Sequence, residues 1–381
     1  MSWSVIGQDE AVAVLKRAVE DESRLSHAYL FAGPEHTGRA TAARQFAQAL
    51  NCTGGGADAE PGKARLRGID EADAEPGKAR LRDGDGDEGG PPCGVCRTCR
   101  LIAEDKHPDV EWVTVGGVCD ESEHKDHASD GSRDIRICQV RHVQRIVSRT
   151  TVDARYRVII VDPAEALTVE AANAFLKTLE EPEANTVIVL IAGREEALRE
   201  TVRSRCRRVA FEGVPRALIE ASLQERWGAS AEQAAHLARL SQGRLGWAVA
   251  ALQDERLLID RERTVDEIEA LMSGGLSERF AYAASLGSRF SRDPQMVRDT
   301  LGVWRDWWRD VLLAAAGRDE LVADTARLDT LRSLAAQWGV AGAVRALTAV
   351  GNGRQHLEEH ASPTLALEVM LLEVPLGARR S

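Results

Sequence analysis

A cluster of cysteines offers the clearest chemistry in the sequence. Three of the seven cysteines follow a CxxCxxC spacing, at Cys93, Cys96 and Cys99. In a reducing compartment this spacing favours a metal over disulfides, and four thiolates suit a tetrahedral structural Zn²⁺. Because the two CxxC steps share their middle cysteine, the fourth ligand must come from elsewhere. Cys52 is one candidate for it, and Cys119 and His107 are its rivals.

A glycine-containing segment suggests a second kind of chemistry, phosphate binding. Residues 33–40 (GPEHTGRA) keep both glycines of the motif G-x-x-x-x-G-K-[ST] and precede a predicted helix at 41–50. Such glycines let backbone N–H groups surround phosphates, and the helix N-terminus adds positive potential. However, Arg39 replaces the lysine with a bulkier planar group, and Ala40 cannot bind Mg²⁺. We therefore expect a degenerate loop, in which any phosphate contacts come from Gly33, Thr37, Gly38 and Arg39.

The elements around these motifs have the pattern of an α/β nucleotide-binding domain. Residues 168–181 carry helical spacing, and Pro182 marks the end of that helix. Asp162 and Pro163 end a buried apolar run, where proline stops a strand. This order of elements is typical of half of such a domain: a strand, an acid, a helix, another strand and an arginine. Strands are predicted at residues 26–32, 109–115, 158–161 and 186–191, and the last two are expected to be buried.

One stretch of this region resembles a known family. The segment AANAFLKTLEEPEANTVIVL, followed by Ser204-Arg205-Cys206, is similar to the core of bacterial clamp-loader subunits in the AAA+ superfamily. The resemblance runs through most of residues 4–250. It implies an α/β AAA+ P-loop domain with a zinc-binding insertion, then a small helical lid domain and an all-α C-terminal collar. The expected boundaries are 1–212 for the AAA+ domain, 213–253 for the lid and 254–381 for the oligomerisation collar.

The resemblance also implies roles for single residues. In this family the Ser-Arg-Cys arginine of one subunit reaches into the ATP site of its neighbour, so Arg205 is the expected trans arginine finger. The alternative is a structural arginine that pairs with a nearby carboxylate. Family members also place the first zinc-binding cysteine just after the P-loop helix, which selects Cys52. The expected metal ligands are therefore Cys52, Cys93, Cys96 and Cys99.

Other departures from the family's ATPases agree with a degenerate loop. Those ATPases follow the acid with a glutamate that positions the attacking water, whereas here Pro163 follows Asp162. Family motors also carry a polar residue at the end of the next strand, and here Ala192 and Gly193 occupy that place. Since several hydrolytic parts are missing together, we expect no efficient intrinsic catalysis and at most weak ATP binding.

Composition narrows the remaining possibilities. A net charge of −11 does not fit a globally basic nucleic-acid binder, and a hydrophobic fraction of 44% is enough for ordinary cores. No apolar run approaches the roughly 20 residues of a membrane helix. The N-terminal sequence shows no signal peptide, so we expect a cytoplasmic protein.

A local basic stripe stands out against this acidic background. It lies on a helix predicted at residues 138–149 and just before it. The stripe is either a surface that faces DNA or a partner, or an ordinary solvated helix face. Its members are Arg136, Arg141, Arg145 and Arg149.

The predicted zinc module, residues 52–99, contains a duplicated insertion. The sequence ADAEPGKARLR occurs at residues 57–67 and again at 72–82. The segment up to residue 92 is rich in glycine, proline and charge, and cannot bury enough apolar surface to order itself. We expect a disordered loop at 54–92 without a catalytic role.

Together these features lead to a hypothesis about function. The resemblance implies a degenerate stator subunit of the bacterial DNA polymerase III clamp loader, which presents Arg205 to a neighbouring ATPase during loading of the sliding clamp. The implied partners are the motor subunits, the delta subunit, the sliding clamp and primed DNA. Two alternatives remain: an active AAA+ motor of the same loader, and a zinc-stabilised adaptor with no replication role.

Overall fold

The protein, represented by a computed structural model, is described at residues 3–54, 91–119, 133–359 and 361–375. It divides into two units, Met1–Gly213 (unit 1) and Val214–Ser381 (unit 2). This division falls one residue after the boundary expected at 212. The further boundary between lid and collar at 253 stays a prediction. Most of the duplicated insertion lies outside the described residues.

Unit 1 is built on a parallel sheet. The strands are β1 (Ala28–Ala32), β2 (Val110–Val113), β3 (Arg157–Val161), β4 (Thr186–Ala192) and β5 (Arg207–Ala210). The helices are α1 (Asp9–Glu20), α2 (Arg39–Asn51), α3 (Arg97–Ala103), α4 (Ile137–Val147), α5 (Val169–Glu180) and α6 (Glu200–Arg203).

The strand order β2-β3-β4-β1-β5 determines which loops meet. β1 lies between β4 and β5, with Ala28 opposite Ile188 and Tyr29 opposite Arg207. Every residue of β1, β3 and β4 is buried, as expected for strands covered on both faces. Because all five strands are parallel, the loops that follow β1, β3 and β4 gather at one edge, where open α/β sheets bind ligands.

The four strands predicted from sequence are confirmed, and β5 was missed. β5 has only four residues, and of these only Val209 is buried. Arg207 and Arg208 are exposed, so the segment lacks the apolar run that identified the other strands. The α/β pattern ends with β5, and the helices of unit 2 begin shortly afterwards.

Unit 2 is entirely helical in its described part. Trp304, Trp307 and Trp308 are all buried in its main core. No helix in the described ranges is both long and apolar enough to cross a membrane. The helices are α7 (Arg216–Trp227), α8 (Ala231–Ser241), α9 (Leu245–Gln253), α10 (Arg256–Ser273), α11 (Leu276–Phe290), α12 (Pro294–Ala315), α13 (Leu328–Glu358) and α14 (Pro363–Glu373).

Candidate functional site

Four cysteine side chains of unit 1 converge on one point. Cys52 directly follows α2, and Cys93, Cys96 and Cys99 lead into α3. Their Sγ atoms all lie within 4.8 Å of one another, and the Sγ atoms of Cys93 and Cys99 are 4.0 Å apart. A tetrahedral zinc with Zn–S bonds of about 2.3 Å would separate its sulfurs by about 3.8 Å. The cluster therefore has the size and the donor set for such an ion.

Backbone amides around the cluster donate to its sulfur atoms. The Cys96 N–H donates to Cys93 Sγ at 3.3 Å, and the Cys99 N–H donates to Cys96 Sγ at 3.4 Å. Gly94 has φ +71°, a conformation that glycine adopts at little cost, and this allows the tight turn between Cys93 and Cys96. Hydrogen bonding by Cys99 lowers the pKa of Cys52 to about 4. The hydrogen bond from Cys99 thus favours the metal-binding thiolate form at Cys52, while the same contact and burial raise the pKa of Cys99 itself.

The rival ligands do not belong to this cluster among the described residues. His107 is buried, and its Nδ1 accepts the Asp109 N–H at 3.1 Å just before β2. Gln48 on α2, which the sequence did not single out, donates through its side-chain amide to the Cys99 carbonyl at 2.7 Å. The Gln48 side chain therefore connects α2, which Cys52 directly follows, to α3, which contains Cys99.

Both glycines of the loop after β1 adopt backbone conformations that favour glycine. Gly33 has φ +150° and Gly38 has φ +98°, and Gly38 caps the N-terminus of α2. A Cβ on Gly33 would lie 2.0 Å from the Phe211 carbonyl oxygen, so only glycine fits there. Thr37 is buried, and its hydroxyl donates to the Pro34 carbonyl at 2.7 Å. This hydroxyl is therefore already engaged in a hydrogen bond within the loop.

Arg39, at the lysine position of the motif, is turned into the protein. The residue is only 8% exposed, and its Nη1 has no hydrogen-bond partner in the described part of the chain. A Cβ built on Gly193 would lie 3.1 Å from Glu165 Oε1, 3.8 Å from Arg39 Nη1 and 3.8 Å from Glu35 Oε1. Three charged side chains therefore converge on the end of β4.

Glu165 takes up the space at the end of β4 that a polar side chain would need. Its Oε1 accepts the Gly193 N–H at 2.9 Å, and its Oε2 is buried without a hydrogen-bond partner among the described residues. The glutamate missing at Pro163 is visible in the sequence, whereas Glu165 and Glu35 were not predicted to lie at this site. Glu165 follows Asp162 by three residues, on a short 3₁₀ turn, and this spacing was the available signal.

The charge balance at this edge is negative. The Arg39 guanidinium interacts electrostatically with the carboxylates of Asp162, Glu165 and Glu35. Burial raises the pKa of Asp162 to about 6, although Arg39 opposes the shift. Burial also lowers the pKa of Arg39, and the three carboxylates oppose that shift. One cation thus offsets three nearby acids, which leaves little positive potential for a triphosphate.

Arg205 lies in a different setting, after α6. Its Nη1 donates to the Thr201 carbonyl at 2.8 Å, and its Nη2 lies 2.5 Å from Glu180 Oε1. The Arg205 side chain is 35% exposed and that of Glu180 is 48% exposed. The carboxylate pairing considered as an alternative is therefore present, while the guanidinium stays accessible from outside the chain.

The predicted basic stripe lies on α4 and at its ends. Arg141, Arg145 and Arg149 are exposed, and Arg136 is half-buried. A shallow open depression between them is lined by Arg141, Gln144, Arg145 and Ser148. A role of this stripe towards DNA or a partner stays a prediction.

Comparisons with known proteins identify relatives in replication. The family model described as "DNA polymerase III, delta subunit" matches residues 7–71 and 79–215, which is just over half of the chain. The DNA polymerase III subunit delta' of Bacillus subtilis is 28% identical over 242 residues, which cover 63% of this chain and 57% of that protein. The subunit gamma/tau of Mycobacterium tuberculosis is 27% identical over 404 residues, which cover 96% of this chain and 59% of that protein. The chain thus spans less than two thirds of the length of these relatives.

A solved structure is also similar over most of the chain. A DNA polymerase III gamma-subunit-related protein from Thermotoga maritima has 17% identity and a TM-score of 0.38, and the match covers 95% of this chain and 98% of that protein. A score this low does not establish a shared arrangement of the whole chain. The assignment to a family therefore comes from the sequence matches.

Proposed function

Because the chain belongs to the family described as DNA polymerase III, delta subunit, we propose that it is a clamp-loader subunit of the delta-prime kind. It acts as a catalytically degenerate AAA+ stator in the DNA polymerase III holoenzyme. In this role it offers Arg205 to the ATP site of a neighbouring subunit while the assembly loads the sliding clamp on primed DNA. Its partners are the motor subunits, the delta subunit and the clamp, and it meets DNA through the assembly.

The observation that carries the stator proposal is the position of Arg39. A P-loop cation must face the phosphates, whereas Arg39 is buried and interacts with the carboxylates of Asp162, Glu165 and Glu35. Ala40 offers no oxygen to Mg²⁺, and Thr37 already donates within the loop. A bound nucleotide would have to compete with these carboxylates for the charge of Arg39.

Arg205 supplies the second half of the proposal. The guanidinium is about one third exposed and stays accessible to a neighbouring subunit, and its pair with the half-exposed Glu180 carboxylate is screened by solvent. A trans arginine stabilises charge on the transferred phosphoryl group and is worth about 10³–10⁵ in rate. The chain would therefore support hydrolysis in its neighbour without performing it.

The four-cysteine cluster is proposed to hold a structural Zn²⁺. Cys52, Cys93, Cys96 and Cys99 would be its ligands, and bound zinc would lock α3 to the end of α2. Metal analysis should find about one zinc per chain, and Cys96→Ser or Cys52→Ser should remove it. Cys119→Ser and His107→Ala are the matched controls and should retain the metal. A native preparation without zinc would refute the site.

The oligomerisation role of the C-terminal helices is proposed from their surface. Leu365, Val369 and Leu372 are exposed on α14 at a spacing of four and three residues, which places them on one face. Neighbouring subunits of the loader are the occupants that the family suggests. The cytoplasmic location expected from the sequence stays a prediction.

The similarity to gamma/tau subunits favours the motor alternative, since their alignment covers almost the whole chain. The Arg39 environment argues against it. The adaptor alternative is disfavoured by membership of the family.

Two measurements test the proposal together. The purified chain should bind ATP weakly or not at all and show no turnover with Mg²⁺ and primed DNA. In the reconstituted loader, Arg205→Ala should lower turnover at the site it serves by about 10³-fold or more. Turnover by the isolated chain that is lost in Arg39→Ala would show a motor, and unchanged loader activity in Arg205→Ala would rule out the finger.

A further inference from the structure

The Arg205 guanidinium is held by three contacts from its own chain. Nη2 lies 2.5 Å from Glu180 Oε1, and Nη1 donates to the Thr201 carbonyl at 2.8 Å. A longer contact of 3.4 Å joins Nη1 to Ser204 Oγ. Of these three partners, only Glu180 comes from a different element of the fold, and only it carries charge.

The fold fixes the position of Glu180. It is the last residue of α5, and Pro182 prevents the helix from continuing. Phe175 and Leu179 on the same helix are buried in the core, so the end of α5 cannot easily shift. The carboxylate therefore reaches Arg205 from a rigid support, whereas Thr201 and Ser204 belong to the same short segment as Arg205.

The neighbouring Glu181 provides a natural comparison. It has the same charge, is also exposed and is adjacent in sequence, but the contacts of Arg205 go to Glu180. A general need for negative charge near Arg205 would not distinguish the two residues. The contact geometry does distinguish them.

On this basis, and resting on the proposed finger function, we propose that Glu180 is a positioning residue for Arg205. Its carboxylate directs a long, flexible side chain so that the guanidinium meets the neighbour's nucleotide in a productive geometry. Misplacement of a reacting or stabilising group by about 1 Å can cost about 10²-fold in rate, which makes such support valuable. A carboxylate that instead sequestered Arg205 would have the opposite effect when removed.

The test uses the fully assembled loader and measures kcat and KM for ATP. Glu180→Gln and Glu180→Ala should lower kcat by about 10-fold to 10²-fold, with KM for ATP and the affinity of assembly unchanged. Glu180→Asp, which keeps the charge, should restore part of the loss. Glu181→Gln is the matched control and should behave as the unsubstituted chain.

A double-substituted chain separates positioning from other effects. In an Arg205→Ala background, Glu180→Ala should cause no further loss, because its effect passes through the arginine. A further loss there, or a kcat of Glu180→Ala equal to or above that of the unsubstituted loader, would overturn the positioning role. If Arg205→Ala alone leaves turnover unchanged, the finger function itself fails, and the two failures are thereby distinguished.

Discussion

Arg39 and Arg205 stand at two places where nucleotide hydrolysis uses a cation, and their surroundings differ in almost every respect. Arg39 is 8% exposed and lies near three carboxylates of its own chain. The side chain of Arg205 is 35% exposed and contacts one carboxylate that is itself half exposed. The arginine at position 39 is thus part of the protein interior, whereas the arginine at position 205 is accessible to another molecule.

The difference shows how a nucleotide-binding fold can lose a reaction and still serve one. The sheet brings the loops after β1, β3 and β4 to a common edge, as an active site would require. At that edge, however, Glu165 accepts the Gly193 N–H and the positive charge of Arg39 is directed inward. Arg205, by contrast, pairs with a single carboxylate, that of Glu180.

The largest expected difference between the two arginines is in stability. Arg39→Ala should reduce the free energy of unfolding of unit 1 by about 3–5 kcal/mol, because it leaves partly buried carboxylates without their cation. The measurement is urea denaturation combined with hydrogen exchange of peptides from β3. Hydrogen exchange is needed because six of the eight tryptophans lie in unit 2, so fluorescence mainly reports on that unit.

Arg44→Ala is the matched control, since Arg44 lies on the same helix and pairs with the exposed Asp105. Its effect should stay below about 1 kcal/mol. If both substitutions cost equally little, Arg39 is not an internal counter-ion and the comparison with Arg205 fails.

A second prediction concerns pH. The pKa of Asp162 rises from 3.8 to about 6 in the folded protein. The folded protein thus holds this proton more tightly than the unfolded chain, and ionisation of Asp162 lowers stability as pH rises from about 4 to 6. Asp162→Asn should match the unsubstituted chain near pH 4 and exceed its unfolding free energy by about 2–3 kcal/mol at pH 7.

Urea denaturation at the two pH values checks this expectation. Asp105→Asn provides the control, because Asp105 is an exposed acid on the same unit. An Asp162→Asn variant that is equally stable or less stable at pH 7 would show that Arg39 compensates the buried carboxylate fully.

Features encoded in local spacing could be predicted from the sequence. The CxxCxxC spacing identified three of the four side chains that the fold brings together, and the family resemblance supplied the fourth, Cys52. Apolar runs revealed β1, β3 and β4, because strands buried on both faces are continuously apolar. The replaced residues Arg39 and Ala40 could be read directly from the motif.

Contacts between distant segments could not be predicted in this way. Glu35 and Glu165 are far apart in sequence, and only the pairing of β1 and β3 with β4 brings them to Gly193. The contact of Arg205 with Glu180 likewise depends on how α5 and α6 pack, since 25 residues separate the pair. Spacing therefore identified the reactive residues, while the fold determined the partner of each.

The smallest expected effect is that of Arg205→Ala on the stability of the isolated chain. Because Arg205 and Glu180 are both well exposed to solvent, their pair should contribute less than about 1 kcal/mol to the free energy of unfolding. Arg157→Ala is the contrasting variant: Arg157 pairs with Asp109 at 2.7 Å, both are buried, and its loss should cost about 3–5 kcal/mol in the same assay. A loss of that size in Arg205→Ala would mean that Arg205 is a structural counter-ion like Arg39. Its effect on loader turnover could then be explained by misfolding, and the distinction between the two arginines would disappear.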